Sequence, residues 1–128
     1  MPQASGNVLI VEDDQATRDM LQLLLSGEGF HVVSAEDGLE ALNVLRAVRR
    51  RAPAVPCLVL LDLMMPRLGG GEFRRAQLGD PTVADVPVAV MSGATDLEQR
   101  AHALGAVATV AKPINHSVLL KVVKRYCA

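Results

Sequence analysis

A run of four aliphatic residues that ends in an aspartate constrains the fold of this chain more than any other feature. The run is Leu58-Val59-Leu60-Leu61, and Asp62 follows it directly. Four consecutive apolar residues predict a strand that is buried on both faces. Because burying a lone carboxylate is costly, we expect Asp62 to emerge at the carboxyl end of this strand and to face a crevice. That position suits a reactive carboxylate, and it suits an ordinary polar strand end equally well.

Further apolar segments surround this strand in a regular alternation. Aliphatic runs at 8–11, 87–91 and 107–111 predict three more buried strands, and a weaker run at 31–34 predicts a fifth. Apolar residues at helical spacing predict five amphipathic helices, near 15–26, 38–50, 72–78, 95–104 and 115–126. Apolar strands that alternate with helices predict an α/β fold, in which a parallel sheet is covered on both faces.

Three polar residues mark the predicted helix starts. Asp14 suits the positive end of the first helix dipole. The Thr95-x-x-Glu98 pattern predicts a capping box at the fourth helix, and Asn115 is expected to cap the fifth. The inner stripe of that last helix is predicted to consist of Val118, Leu119, Val122, Val123 and Tyr126.

Most of the predicted strands end in polar residues. Glu12 and Asp13 follow the first strand, Asp62 the third, Ser92 the fourth and Lys112 the fifth. The carboxyl ends of parallel strands share one edge of the sheet, where ligands bind in folds of this type. Carboxylates that are brought together repel one another, and Mg²⁺ with its preference for oxygen ligands would relieve that repulsion. A lysine and a hydroxyl complete a site for a phosphoryl group, with Asp62 as the nucleophile.

Composition narrows the class of protein. The 128 residues are enough for one domain, and a formal net charge of −1 argues against nucleic acid as a main partner. No apolar run approaches the roughly 20 residues of a membrane span, and the polar N-terminus lacks the pattern of a signal peptide. These features favour a cytoplasmic domain. The two cysteines, Cys57 and Cys127, have no CxxC spacing, and we expect a buried thiol and a thiol at a frayed helix end.

Four motifs in this order resemble the receiver domain of response regulators in bacterial two-component signalling, the CheY-like superfamily. They are Val11-Glu12-Asp13-Asp14, Leu61-Asp62-Leu63-Met64-Met65-Pro66, Met91-Ser92-Gly93-Ala94 and Ala111-Lys112-Pro113. Each motif alone is weakly specific, whereas all four at predicted strand ends are highly specific. The resemblance covers nearly the whole chain, from Val8 to Tyr126.

The resemblance implies a flavodoxin-like sheet with the strand order 2-1-3-4-5. It also implies that Asp62 is the phosphoacceptor and that Ser92 and Lys112 contact the phosphoryl group. The implied ligands of Mg²⁺ are Glu12, Asp13, Asp62 and the backbone carbonyl of Met64. A cis peptide bond is expected between Lys112 and Pro113. Residues 1–7 are expected to form a disordered tail and residues 8–128 a single receiver domain.

The implied partners are proteins of a signalling pathway. A histidine kinase or a phosphotransfer protein would donate the phosphoryl group, and a downstream protein would dock on the face made by helix four, strand five and helix five. No nucleic acid or membrane is expected as a partner. Such a domain catalyses only its own phosphorylation and dephosphorylation and is otherwise not an enzyme.

Two positions depart from the family pattern. Gly69 replaces the acidic residue that usually precedes the glycine of the central loop, so a less firmly started third helix is expected. Thr109 stands where the fifth strand usually carries an aromatic ring that turns on activation. These departures keep open a second hypothesis, a receiver-like interaction module that binds its partner without phosphorylation.

Overall fold

Five parallel strands form one sheet at the centre of the molecule, in the spatial order 2-1-3-4-5 when the strands are numbered along the chain. The structure is a computed structural model that describes residues 6–49, 56–65 and 68–127. The strands are β1 (Asn7–Val11), β2 (His31–Ala35), β3 (Leu58–Asp62), β4 (Val88–Ser92) and β5 (Ala108–Ala111). The helices are α1 (Gln15–Gly27), α2 (Gly38–Arg49), α3 (Gly70–Leu78), α4 (Leu97–Ala103) and α5 (His116–Cys127). The predicted fold class and strand order are confirmed.

Helices cover both faces of the sheet, because successive strand residues point to opposite sides. Leu58 and Leu60 of β3 pack in a core with α1 and α5. Val59 and Leu61 pack in a second core with α2, α3 and α4. All five residues of β3 are buried, as its continuous apolar run predicts.

Several helix ends follow the predicted chemistry. Asp14 caps α1 by accepting a hydrogen bond from the amide of Thr17 at 3.0 Å, and Asn115 caps α5 through the amide of Val118 at 3.1 Å. The third helix begins at Gly70, two residues before its predicted start. A hydrogen bond of 3.0 Å from the Gly69 amide to the Glu72 carboxylate supports that start.

The predicted capping box of α4 is wrong. The residue at the helix start is Asp96 rather than Thr95, and its side chain makes no capping hydrogen bond. Glu98 is directed elsewhere, because its Oε2 accepts a hydrogen bond of 2.6 Å from the Thr109 hydroxyl on β5. A partner across the fold therefore displaces the local interaction that the sequence pattern favours.

One strand boundary and one buried position also differ from prediction. Asn7 belongs to β1 and pairs with His31 of β2, so the expected N-terminal tail cannot include it. Val118 does not lie in the inner stripe of α5, since 45% of it is exposed. Pro66 and residues 1–5, which also figured in the predictions, lie outside the described residues.

The two cysteines form a disulfide, contrary to the prediction of two thiols. Cys57 precedes β3 and Cys127 ends α5, and their Cα atoms lie 5.4 Å apart although 70 positions separate them in sequence. The fold brings them together at the amino edge of the sheet, beside Gly6. A Cβ atom at Gly6 would lie 2.5 Å from the sulfur of Cys57, so only glycine leaves room for the bridge.

Candidate functional site

The polar strand ends meet at the carboxyl edge of the sheet. Glu12 and Asp13 directly follow β1, Asp62 is the last residue of β3, and Lys112 directly follows β5. Carboxylate oxygens of Glu12, Asp13 and Asp62 lie within 4.8 Å of one another. The cluster arises because β1 and β3 are neighbours in the sheet, so the residues that end them are adjacent.

Lys112 joins two of these acids. Its Nζ lies 2.8 Å from Glu12 Oε1 and 3.5 Å from Asp62 Oδ2. The Lys112–Pro113 peptide bond is cis, as predicted. One ammonium group is thus set against a cluster of three acids, two of which it contacts, so acidic groups outnumber the cation.

The three acids differ in burial. Glu12 is fully buried, and besides Lys112 it accepts a hydrogen bond from the amide of Asp14 at 3.1 Å. Asp62 is 3% exposed, so it lies deeper than the open crevice that the sequence predicts. Its Oδ1 accepts a hydrogen bond from the amide of Met64 at 3.2 Å. Asp13 is exposed and is the acid that faces solvent.

Burial changes the proton affinity of this cluster. Desolvation, followed by the negative charge of Glu12, raises the pKa of Asp62 to about 7, against the weaker opposing effect of Lys112. Burial by itself lowers the pKa of Lys112, but the hydrogen bond with Glu12 and the charges of both acids raise it above its usual value. Lys112 is therefore a cation at neutral pH, whereas Asp62 holds a proton to a much higher pH than an ordinary aspartate, since its pKa is raised.

Ser92 and Met64 are the remaining predicted site residues. Ser92 ends β4, is 2% exposed, and its Oγ accepts a hydrogen bond from the amide of Ala94 at 3.0 Å. A hydroxyl that accepts at its oxygen keeps its own proton for another acceptor. The side chain of Met64 is 64% exposed, and its sulfur lies 4.0 Å from Nη1 of Arg100.

The donor set fits a hard divalent cation. Three carboxylates that converge from two strand ends offer oxygen ligands, and Mg²⁺ binds few protein carboxylates while it keeps several waters. The exposure of Asp13 leaves one side of the cluster open to those waters. Residues with this arrangement can hold a cation next to a buried carboxylate.

The sequence analysis missed Arg18, which contacts this edge from α1. Its Nη1 donates hydrogen bonds to the backbone carbonyls of Glu12 at 2.7 Å and of Asp13 at 3.4 Å. The only signal in the sequence is an arginine just over one helical turn after a run of acids. That pattern is too common to indicate a site by itself.

Comparison with known proteins agrees with this architecture. Residues 8–124 match the family model of the response regulator receiver domain. The chain is 38% identical over 102 residues to the response regulator MprA of Mycobacterium tuberculosis, a match that covers 80% of this chain and 41% of MprA. The chain thus spans less than half the length of that relative.

Solved structures show the same fold. The chemotaxis response regulator CheY4 of Vibrio cholerae superposes with a TM-score of 0.83 at 30% identity, over 95% of this chain and 98% of that protein. The phosphorylated cyanobacterial phytochrome response regulator RcpA superposes with a TM-score of 0.76 at 31% identity, over 95% of this chain and 91% of RcpA. Within the part of the chain that the structure describes, no helix is both long and apolar enough to cross a membrane.

Proposed function

Because the chain belongs to the response-regulator receiver family, we propose that Asp62 accepts a phosphoryl group from a histidine kinase or a phosphotransfer protein. The observation that carries this proposal is the position of Asp62, a buried carboxylate 3.5 Å from Lys112 within a cluster of acids at the strand ends. Residues 8–128 would act as one receiver domain in the cytoplasm. It is a signalling module rather than an enzyme with turnover.

In the proposed reaction an oxygen of Asp62 attacks phosphorus while the bond from phosphorus to the donor nitrogen breaks. Lys112 then pairs with one phosphoryl oxygen, for which its ammonium already lies between Glu12 and Asp62. The hydroxyl of Ser92 donates a hydrogen bond to a second oxygen. Mg²⁺, held by Glu12, Asp13, Asp62 and the carbonyl of Met64, would offset the negative charge on the phosphoryl group.

The output surface in this proposal is the face made by α4, β5 and α5, on which a downstream protein would dock. The start of α4 lacks a side-chain cap, and a single hydrogen bond from Thr109 holds Glu98 against β5. Because Thr109 has no ring to turn, we expect phosphorylation to move the segment 93–97 most. Nothing in the charge of the chain favours nucleic acid as its partner.

A second candidate function is a receiver-like module that binds its partner without phosphorylation. The observation that favours it is Thr109, a small, β-branched residue at the position where the family carries its moving aromatic ring. If phosphorylation of Asp62 changed nothing beyond the pocket, this second function would be the better explanation.

Intact-mass spectrometry after incubation with Mg²⁺ and acetyl phosphate tests the first proposal. We expect one added phosphoryl group on the native chain and none on Asp62→Asn. Removal of Mg²⁺ by a chelator should abolish the addition as well. Asp19→Asn, which changes an exposed acid of α1, is the matched control and should react like the native chain. Equal incorporation by Asp62→Asn would refute the assignment of the phosphoacceptor.

A further inference from the structure

Arg18 contacts the backbone on both sides of Asp13. Its Nη1 donates to the carbonyl of Glu12 at 2.7 Å and lies 3.4 Å from the carbonyl of Asp13. These two carbonyls belong to the peptide groups that precede and follow the α-carbon of Asp13. Since each peptide group is planar, the orientations of the two groups define the backbone dihedrals of Asp13 and thus the direction of its Cα–Cβ bond, from which the side chain extends.

Asp13 needs such support more than the other acids of the cluster. Glu12 is held by Lys112 and by the amide of Asp14, and Asp62 by Lys112 and the amide of Met64. Among the described residues, the carboxylate of Asp13 has no hydrogen-bond or ion-pair partner. Repulsion from Glu12 and Asp62, which lie within 4.8 Å, would turn this exposed side chain away from the cluster.

We infer that Arg18 is a positioning residue that holds Asp13 in the direction required for binding a divalent cation. The inference rests on the proposed function, in which Asp13 is a ligand of Mg²⁺. Arg18 itself touches neither the cation nor the phosphoryl group. It acts through the backbone, as groups behind metal ligands commonly do.

A different role for Arg18 would have the opposite effect. A guanidinium beside three consecutive acids, Glu12 to Asp14, also neutralises negative charge and repels an incoming cation. If neutralisation were its main effect, removing the charge would tighten the binding of Mg²⁺. If Arg18 holds Asp13, removing it must weaken that binding, so the sign of the change separates the two roles.

Isothermal titration calorimetry with MgCl₂ on the full chain makes this measurement. We expect Arg18→Met to weaken the affinity for Mg²⁺ about tenfold, the lower end of the effect of groups behind metal ligands, because the lost charge offsets part of it. Arg18→Lys, which keeps a donor and the charge, should restore most of the affinity. Lys121→Met on α5 removes the same charge from an exposed position and should leave the affinity unchanged.

Two further readouts complete the test. Thermal unfolding without Mg²⁺ establishes that Arg18→Met is folded, and the amide resonances of residues 13 and 14 should shift in that variant before any Mg²⁺ is added. Unchanged or tighter binding by Arg18→Met would overturn the inference, and so would a native chain that does not bind Mg²⁺. Failure of the proposed function is distinct, since it would leave Asp62 unphosphorylated while Arg18→Met still weakened the affinity.

Discussion

The two edges of the sheet contribute to stability in opposite ways. At the carboxyl edge, three carboxylates and one ammonium group meet, and Glu12 and Asp62 are almost completely buried. At the amino edge, the disulfide between Cys57 and Cys127 joins the start of β3 to the end of α5. One edge carries unfavourable charge repulsion, and the other carries a covalent link.

The feature that stabilises the fold and the candidate functional site lie at opposite ends of one strand. β3 begins next to Cys57 of the disulfide and ends in Asp62 of the acidic cluster, so both features act on the same buried strand. A strand anchored at its amino end and buried along its whole length can support a costly cluster of charges at the other end. Changes at the amino edge should therefore alter stability and spare the site, whereas changes at the carboxyl edge should alter both.

The largest expected effect on stability is the loss of the disulfide. Cys127→Ser should lower the free energy of unfolding by roughly 4 kcal/mol, because the bridge closes a loop of 70 residues in the unfolded chain. Urea unfolding measures the loss, and a reductant should produce a similar one in the native chain. The thiol of Cys57 then has an acceptor in the carbonyl of Asn7, 3.2 Å from its sulfur.

The contrast between the two edges also requires that this variant keep its site. We expect the affinity of Cys127→Ser for Mg²⁺ to stay within about twofold of the native value, at a temperature where the variant is folded. A reductant that left the stability of the native chain unchanged would show that the bridge has no energetic role. A large loss of Mg²⁺ affinity would show that the two edges are coupled.

A smaller effect on stability is expected from the ionisation of Asp62 at the carboxyl edge, which makes the free energy of unfolding depend on pH. The pKa of Asp62 is 3.8 when unperturbed and about 7 in the folded protein, so a proton on Asp62 favours the folded state. This contribution to stability is fully present below about pH 4 and is lost as the pH rises through 7. Without Mg²⁺, Asp62→Asn should therefore be more stable than the native chain at pH 8.

We expect that gain to be about 2 kcal/mol, roughly half of the free energy that corresponds to the difference between these two pKa values, because the amide of asparagine reproduces only part of the hydrogen bonding of the protonated carboxyl. The difference between the two proteins should shrink as the pH falls to 5. Thermal unfolding at a series of pH values measures it. A difference that did not vary between pH 5 and pH 8 would mean that Asp62 is not the group whose burial is costly.

The smallest effect is expected at the start of α4, which borders the carboxyl edge. The other end of this helix is held firmly, because Arg74 donates to the carbonyls of Leu104 at 2.8 Å and Gly105 at 3.1 Å. The first turn is tied to β5 by the hydrogen bond between Glu98 and Thr109. Thr109→Val should cost about 1 kcal/mol, the usual value of such a bond.

A double-mutant cycle with Glu98→Ala and Thr109→Val isolates that bond, because each substitution alone removes it. In NMR spectra, Thr109→Val should shift the amides of residues 96–99 and leave residues 104–106 in place. Shifts spread evenly along α4 would contradict the view that only its first turn is free to respond to the site.

Much of the candidate site could be predicted because each of its residues is marked by its neighbours in the sequence. The polar residues follow apolar runs along the chain, and parallel strands place their carboxyl ends on one edge. Glu12, Asp13, Asp62 and Lys112 could therefore be grouped without coordinates, and the structure brings them together. The cap at Asn115 and the N-cap at Asp14 were predictable for the same reason, since each donor lies three residues away.

Contacts between distant segments could not be predicted in this way. The pattern at Thr95 and Glu98 predicts a local capping box, but Glu98 instead accepts a hydrogen bond from Thr109 on β5. The pairing of Cys57 with Cys127 depends on where α5 ends relative to β3. The separation of the two cysteines in the sequence does not indicate how close they lie in space.

The sequence by itself determined the alternation of strands and helices and the residues at the strand ends, because the spacing of apolar residues reports which positions face the core. The tertiary structure alone decided how deeply Asp62 is buried, what Arg18 holds, which residue binds Glu98 and that the cysteines are joined. These properties depend on side chains that meet only after helices pack on the sheet. Burial and partner choice follow from that packing rather than from local pattern.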